Sequence, residues 1–152
     1  TTKITGGSKI VNVYDIASNT YRQKESYVFP FAKHMIKELK IGNYDIAFQH
    51  LIDNNSIEAN ICTQFLVKYV LYSINTARTI GDSIYSADDV MATGFGWVPP
   101  LAVIDAFGGV DKFKIIALDK LPEEFLSKVD VIEILKDVTE SKYDYRSFFK
   151  AK

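Results

Sequence analysis

Residues 57 to about 85 contain no proline, and no glycine before Gly81. Two rows of largely apolar side chains run along this stretch. Ile61, Phe65, Tyr69, Tyr72 and Thr76 form one, and Leu66, Val70, Ser73 and Ala77 form the other. Positions three and four apart share a helix face, so the spacing predicts one long helix. A helix apolar over most of its circumference is expected to be the central, surrounded helix of an α domain. Gln64, Lys68, Asn75 and Arg78 interrupt the apolar run 61–80. A bilayer span tolerates few such residues, so the helix reads as water-soluble rather than membrane-spanning.

The flanks read as shorter elements. Thr1 to Ser8 is polar and glycine-bearing, and is expected to be a linker or frayed end. Residues 9–16 alternate roughly with period two, Ala17-Ser18-Asn19 reads as a turn, and Thr20-Tyr21-Arg22 resumes. This is a small hairpin or extended arm that must lean on something, since an isolated hairpin is marginal in water. Residues 1–25 are therefore assigned to a linker or arm, and 26–152 to a helical domain. Phe31, Met35, Ile36 and Leu39 have helical spacing, and Gly42 is a plausible stop. Asn43 and Ser56 are expected N-caps, the first for a helix carrying Ile46, Ala47, His50 and Leu51. Ser86 is expected to cap a helix 87–93 that Gly94 ends. Further helices are expected over 100–107, 110–118 and 129–138. The tail from Asp144 to Phe149 is aromatic enough to pack back on the body.

The chain has 152 residues, 47% of them apolar and 24% charged, a balance that supports one domain with a real core. Net charge is −1 and the pI about 6.1. With its lysines scattered, the chain has no basic footprint for nucleic acid, and a small molecule or a protein is the more natural partner. The single cysteine, Cys62, allows no intrachain disulfide and no cysteine-based zinc site. It sits in an apolar run and is expected to be a buried, inert thiol. No apolar secretory leader is visible at Thr1–Gly7. A cytoplasmic setting is the expectation.

No catalytic set emerges from the residues themselves. Gly94-Phe95-Gly96 lacks the third glycine of a dinucleotide fingerprint and lies between helices, and Gly6-Gly7 leads to no phosphate loop. His34 and His50 stand far apart in sequence with no partner at metal spacing, so surface or boundary positions are expected and no metal site. Asp82, Asp88, Asp89 and Asp105 surround the glycine-aromatic stretch, and Asp88 and Asp89 are expected to complement a helix start. Phe95 and Trp97 flank Gly96. They read either as a buried helix elbow or as a wall for an acyl chain.

The ordered set Tyr72, Gly81-Asp82-Ser83-Ile84, Asp88, Val90-Met91, Gly94-Phe95-Gly96-Trp97 and Asp105-Ala106 resembles the C-terminal helical domain of the 3-hydroxyacyl-CoA dehydrogenases. The similarity is best between about Phe65 and Gly109. It implies an all-α fold like the C-terminal domain of 6-phosphogluconate dehydrogenase, with a long central helix. In such enzymes a separate N-terminal Rossmann domain binds NAD and carries the catalytic His–Glu pair. The helical domain closes over the acyl-CoA and often forms the dimer interface. The resemblance thus implies a homodimer, an acyl-CoA substrate of fatty-acid β-oxidation, and no cofactor or catalytic residue on this chain itself. The Asn-Arg pair that many members carry early in the long helix falls here on Thr63 and Gln64, with Asn60 three residues away. Pro99-Pro100 replaces the commoner Gly-Pro step. The missing asparagine makes the chain look like the distal of two copies of the domain. The candidates for a substrate cleft or interface are Phe95, Trp97, Pro99, Pro100, Asn60, Thr63 and Gln64. The alternatives are a helical scaffold without substrate contact and an unrelated helical interaction module.

Overall fold

The computed structural model describes residues 2–5, 8–25 and 27–149. Gly6-Gly7 and the proposed limits at 1, 26 and 152 lie outside the described residues. The chain is mostly helical, with short strands at the N-terminal end. Strands β1 (Thr2–Thr5), β2 (Ser8–Asp15) and β3 (Thr20–Gln23) form an antiparallel sheet in that order. The expected hairpin is β2–β3. Part of the expected linker is instead a third strand, with Lys3 opposite Ile10. Asn19, at a positive φ of 56°, closes the β2–β3 turn, and Asp15 accepts the Ala17 and Ser18 N–H groups and the Arg22 Nε. Tyr14 and Tyr21 face each other across the ladder with ring centroids 5.2 Å apart.

Helix α1 (Pro30–Lys40) starts on proline and ends where Gly42, at φ 83°, turns the chain into α2 (Tyr44–Ile52). Asn43 precedes α2 as expected but makes no side-chain cap. Its amide donates instead to Glu38, which ties the two helices at their hinge. Ser56 does cap α3 (Ile57–Ile80), accepting the Ala59 N–H at 3.3 Å. Gly81 ends α3, five residues before the expected limit. A Cβ there would lie 2.7 Å from the Ala77 carbonyl oxygen.

The remaining elements are α4 (Tyr85–Asp89), a π-type turn at Val90–Phe95, α5 (Pro100–Ala106), α6 (Val110–Lys120), α7 (Glu123–Leu126), α8 (Val131–Leu135) and a 3-10 turn at Tyr145–Ser147. The surrounded helix is α5, not α3. Pro100, Leu101, Ala102, Val103, Ile104 and Ala106 are all buried. They pack with Val67, Val70, Leu71 and Ile74 of α3, Phe113 of α6 and Leu135 of α8. Burial of each large aliphatic side chain here contributes about 2 kcal/mol. The C-terminal segment folds back as expected, with Phe149 edge-on to Phe48 at 4.9 Å.

The long helix is accordingly buried along one side only. Val70, Ser73 and Ala77 of the second row are buried, but Ile61, Phe65 and Tyr72 of the first row face solvent. Periodicity shows which residues share a face. Which faces are covered depends on the neighbours, and α5 covers only one. No helix among the described residues is long and apolar enough to cross a membrane.

Candidate functional site

The glycine-aromatic stretch forms a reversal on the solvent side of α3. The expected helix 87–93 is instead α4 followed by the π-type turn, which continues through Phe95. The Thr93 hydroxyl bonds the Asp89 carbonyl at 2.6 Å within this turn. Gly96, at φ 64°, turns the chain back so that the Trp97 N–H reaches the Met91 carbonyl at 3.0 Å. A residue with a Cβ adopts that backbone only under strain.

The reversal sets Trp97 edge-on against Tyr69 of α3, with centroids 6.5 Å apart. The Tyr69 hydroxyl donates to the Val98 carbonyl at 2.7 Å, anchoring the chain just beyond the tryptophan. Burial, and then the Asp88 charge, push the Tyr69 phenol up to about 12, so it remains a donor at neutral pH. Phe95 is 68% exposed and Trp97 58% exposed. The buried-elbow reading is therefore not what the rings do: they form an open apolar wall. Pro99 and Pro100, next along the chain, are buried. Pro99 is extended and leads into α5, and Pro100 occupies its first turn, where the missing N–H is harmless.

Beside this wall an apolar groove of about 330 Å³ runs between the C-terminal half of α3 and the α4 turn. Tyr72, Thr76 and Ile80 line one side, and Ala87, Val90 and Met91 the other. Met91 links the two features, since its carbonyl holds the Trp97 N–H.

Asp88, Asp89 and Asp105 form a carboxylate cluster near the start of this turn. Asp88 is fully buried, and it serves α5 rather than its own helix. Its Oδ1 accepts the Leu101 N–H at 2.9 Å, and its Oδ2 accepts the Ser141 hydroxyl at 2.8 Å. Asp105 accepts the Ser141 N–H. Asp89 holds the Lys142 ammonium and the Tyr143 hydroxyl. Burial raises Asp88 above the usual carboxylate range, and its two hydrogen bonds oppose that rise. Asp105 is also raised, chiefly by burial. Hydrogen bonds from Lys142 and Tyr143 hold Asp89 below the usual range. With both oxygens of Asp88 occupied and no solvent access, its chemistry here is structural: it caps one helix and fastens the C-terminal strap.

The remaining candidates lie elsewhere. Thr63 is 1% exposed and packs inward. At roughly 100° per residue, Asn60 lies on the opposite side of α3 from Tyr69, and Gln64 well around from it. Asn60 donates to the Asn55 carbonyl at 3.3 Å, closing the turn before α3. The structure thus keeps Phe95, Trp97, Pro99 and Pro100 on one reversal, the rings exposed and the prolines buried, and places Asn60, Thr63 and Gln64 on other faces of α3. Cys62 is exposed, not buried, because it lies on the uncovered side of α3. His34 and His50, distant in sequence, are neighbours in space: α1 and α2 bring their rings to 5.4 Å. Among the described residues no group of three or more His, Cys, Asp and Glu side chains is placed to hold a metal ion.

Sequence reasoning missed Tyr69 as the support of the wall, although a half-buried phenol needs a hydroxyl partner and that need was a usable signal. It also missed Ser141 and Tyr143, whose carboxylate partners lie 36 to 54 residues away and leave no local trace. Comparison of the chain with protein-family models, curated proteins and solved structures finds no match.

Proposed function

We propose that this chain acts as the C-terminal helical domain of an NAD-dependent 3-hydroxyacyl-CoA dehydrogenase, not catalytic alone, and that it supplies an apolar wall to the acyl-CoA cleft. The observation that carries the reading is the pair Phe95 and Trp97, exposed on either side of Gly96, with Tyr69 packed against Trp97 and bonded to Val98. An exposed pair of rings, with Trp97 held from behind, makes a surface that an acyl chain can lie on at low entropic cost. The order of residues from Tyr72 to Ala106 is the other support. In this reading the fold is of the 6-phosphogluconate dehydrogenase C-terminal type, and NAD and the catalytic His–Glu pair belong to a Rossmann domain that packs against this one. The setting is cytoplasmic. Trp97 is the only tryptophan, so its fluorescence reads the wall directly. Saturable quenching or a spectral shift on adding acetoacetyl-CoA supports the reading; an unchanged spectrum contradicts it.

A second reading, a helical scaffold without substrate contact, is favoured by one observation. The position matching the family's active-site asparagine is Thr63, which is buried and cannot reach a ligand. A distal copy of the domain, specialised for packing, would have that property.

A further inference from the structure

We propose that His34 and His50 form a metal site, binding one divalent ion of the zinc type that clamps α1 to α2, with Asp53 as a third ligand. The two imidazoles stand with ring centroids 5.4 Å apart and planes inclined at 47°. Zinc lies about 2.0–2.1 Å from a ligating imidazole nitrogen, hence about 3.2 Å from the ring centre. Two rings 5.4 Å apart therefore accept one ion between them at an angle of about 115°, close to the tetrahedral value of zinc sites. Each ring has only to turn a nitrogen toward that point. His34 is exposed and His50 half-buried, and among the described residues neither imidazole takes part in a hydrogen bond or ion pair. Imidazole is the commonest metal ligand in proteins, and it favours zinc, copper and nickel over magnesium and calcium, which take oxygen.

Asp53 follows His50 by three residues, so the two side chains leave neighbouring positions on one helix face. Both line a cavity of about 400 Å³, together with Gln49 and Asn54. A carboxylate and an imidazole three apart on one helix recur in helical metal sites. Among the described residues the Asp53 carboxylate makes no hydrogen bond or ion pair. It does not already stand with the two rings as a trio. Asp53 is exposed, however, and a change of rotamer brings its carboxylate to an ion held by His50. Water completes the coordination. Lys37, one turn beyond His34, is exposed and turns its ammonium to solvent.

A clamp at this place acts on the most thinly held helix of the body. Phe31 is the one buried residue of α1, and with Leu51 and Ala59 it forms a small core apart from the main one. At the closed end of the α1–α2 hairpin the Asn43 amide ties the helices through Glu38. His34 and His50 each lie about two turns from Gly42, so an ion between them fastens the open end. Only the folded hairpin presents both rings at this separation, so the ion's binding adds to the stability of α1 on α2. The site is argued from this hairpin alone and does not rest on the dehydrogenase reading.

Calorimetric titration of the untagged full chain with zinc chloride, with magnesium chloride in parallel, tests it. One zinc ion per chain at micromolar affinity is expected, and no magnesium binding. His34→Gln and His50→Gln are each expected to weaken zinc by about tenfold or more with unchanged circular dichroism spectra. Asp53→Asn is expected to weaken it by a smaller factor. Cys62→Ser is expected to bind as the wild type does, which separates the site from the exposed thiol. Amide hydrogen exchange in α1 is expected to slow on adding zinc to the wild type and not to His34→Gln. No zinc binding up to millimolar concentration overturns the proposal. So does an affinity that either histidine variant retains, or one that Cys62→Ser abolishes. Zinc binding with unaltered exchange in α1 overturns the clamp, and wild-type affinity in Asp53→Asn removes Asp53 from the ligand set. Loss of thioester binding with zinc binding intact would leave this inference standing and remove only the dehydrogenase reading.

Discussion

The Ser141 hydroxyl donates to Asp88 Oδ2 at 2.8 Å, across fifty-three residues of sequence. The other oxygen of the same carboxylate caps the first turn of the buried helix α5 through Leu101. One side chain, in the helix that runs into the turn carrying Phe95 and Trp97, therefore connects the start of the core helix to the C-terminal strap.

Removing that carboxylate is expected to be costly. Asp88→Ala leaves the buried Leu101 N–H without its acceptor and frees Ser141. Loss of about 2–3 kcal/mol of folding stability is expected, read by urea denaturation. Asp88→Asn keeps an acceptor for Leu101 and is expected to lose clearly less. Equal losses in the two variants would mean that the cap is not what Asp88 provides.

The same residue gives a pH dependence of known sign. Burial raises the Asp88 carboxyl above its ordinary value in the folded state. The folded chain then binds a proton in a range where the unfolded chain does not, so this group's contribution to stability increases as pH falls through its raised value. That contribution is complete below the ordinary value of 3.8 and is lost as pH rises through the folded value. Asp105 acts in the same direction. Asp89, held low by Lys142 and Tyr143, acts oppositely: its contribution is present above the ordinary value and lost below it. Asp88→Asn should remove the Asp88 part, so the difference in melting temperature between variant and wild type should change with pH in the mildly acidic range. A constant difference would contradict the assignment.

Gly96 is expected to resist substitution for a backbone reason alone. A Cβ at this position meets nothing within 4 Å, but φ is 64°. Gly96→Ala should therefore destabilise by about 1 kcal/mol without any steric clash. If the reversal opens, Trp97 should also become more accessible to acrylamide quenching. An unchanged stability and quenching constant would show that the left-handed turn is not needed to place Trp97.

Tyr69→Phe removes the hydroxyl that holds the Val98 carbonyl and keeps the ring that Trp97 touches. Loss of about 1 kcal/mol is expected. A broader or red-shifted Trp97 emission should accompany it. A stable variant with identical emission would show that the hydrogen bond does not position the wall.

Where local chemistry decided the outcome, the chain was readable. Ser56 caps α3, Gly42 ends α1 through a positive φ and Pro100 starts α5. The turn between β2 and β3 falls on Ala17-Ser18-Asn19 as the composition suggested. What could not be read depended on tertiary neighbours. The exposure of Phe65 and Cys62 follows from α5 covering only one side of α3. The meeting of His34 and His50 follows from the hinge at Gly42. The role of Asp88 depends on Ser141. At the site, the flanking of Gly96 by two aromatics was legible, but their exposure was not, because the π-type turn carries the chain past Gly94, where a simple α-helix was expected to stop. Thr63 and Gln64 are candidates only through the family resemblance, and Asn60 only as the nearest asparagine to that position. The structure separates them from the wall because the helix winds them around to other faces.

The most direct measurement is a calorimetric titration of the chain with acetoacetyl-CoA, with NAD titrated in parallel and the double variant Phe95→Ala, Trp97→Ala as the control. Each buried ring contributes about 1 kcal/mol, so the control should bind the thioester at least tenfold more weakly than the wild type. Wild-type binding of the thioester but not of NAD is the expected result. No thioester binding would contradict the acyl-wall reading and favour a packing role, and NAD binding would contradict the domain assignment itself.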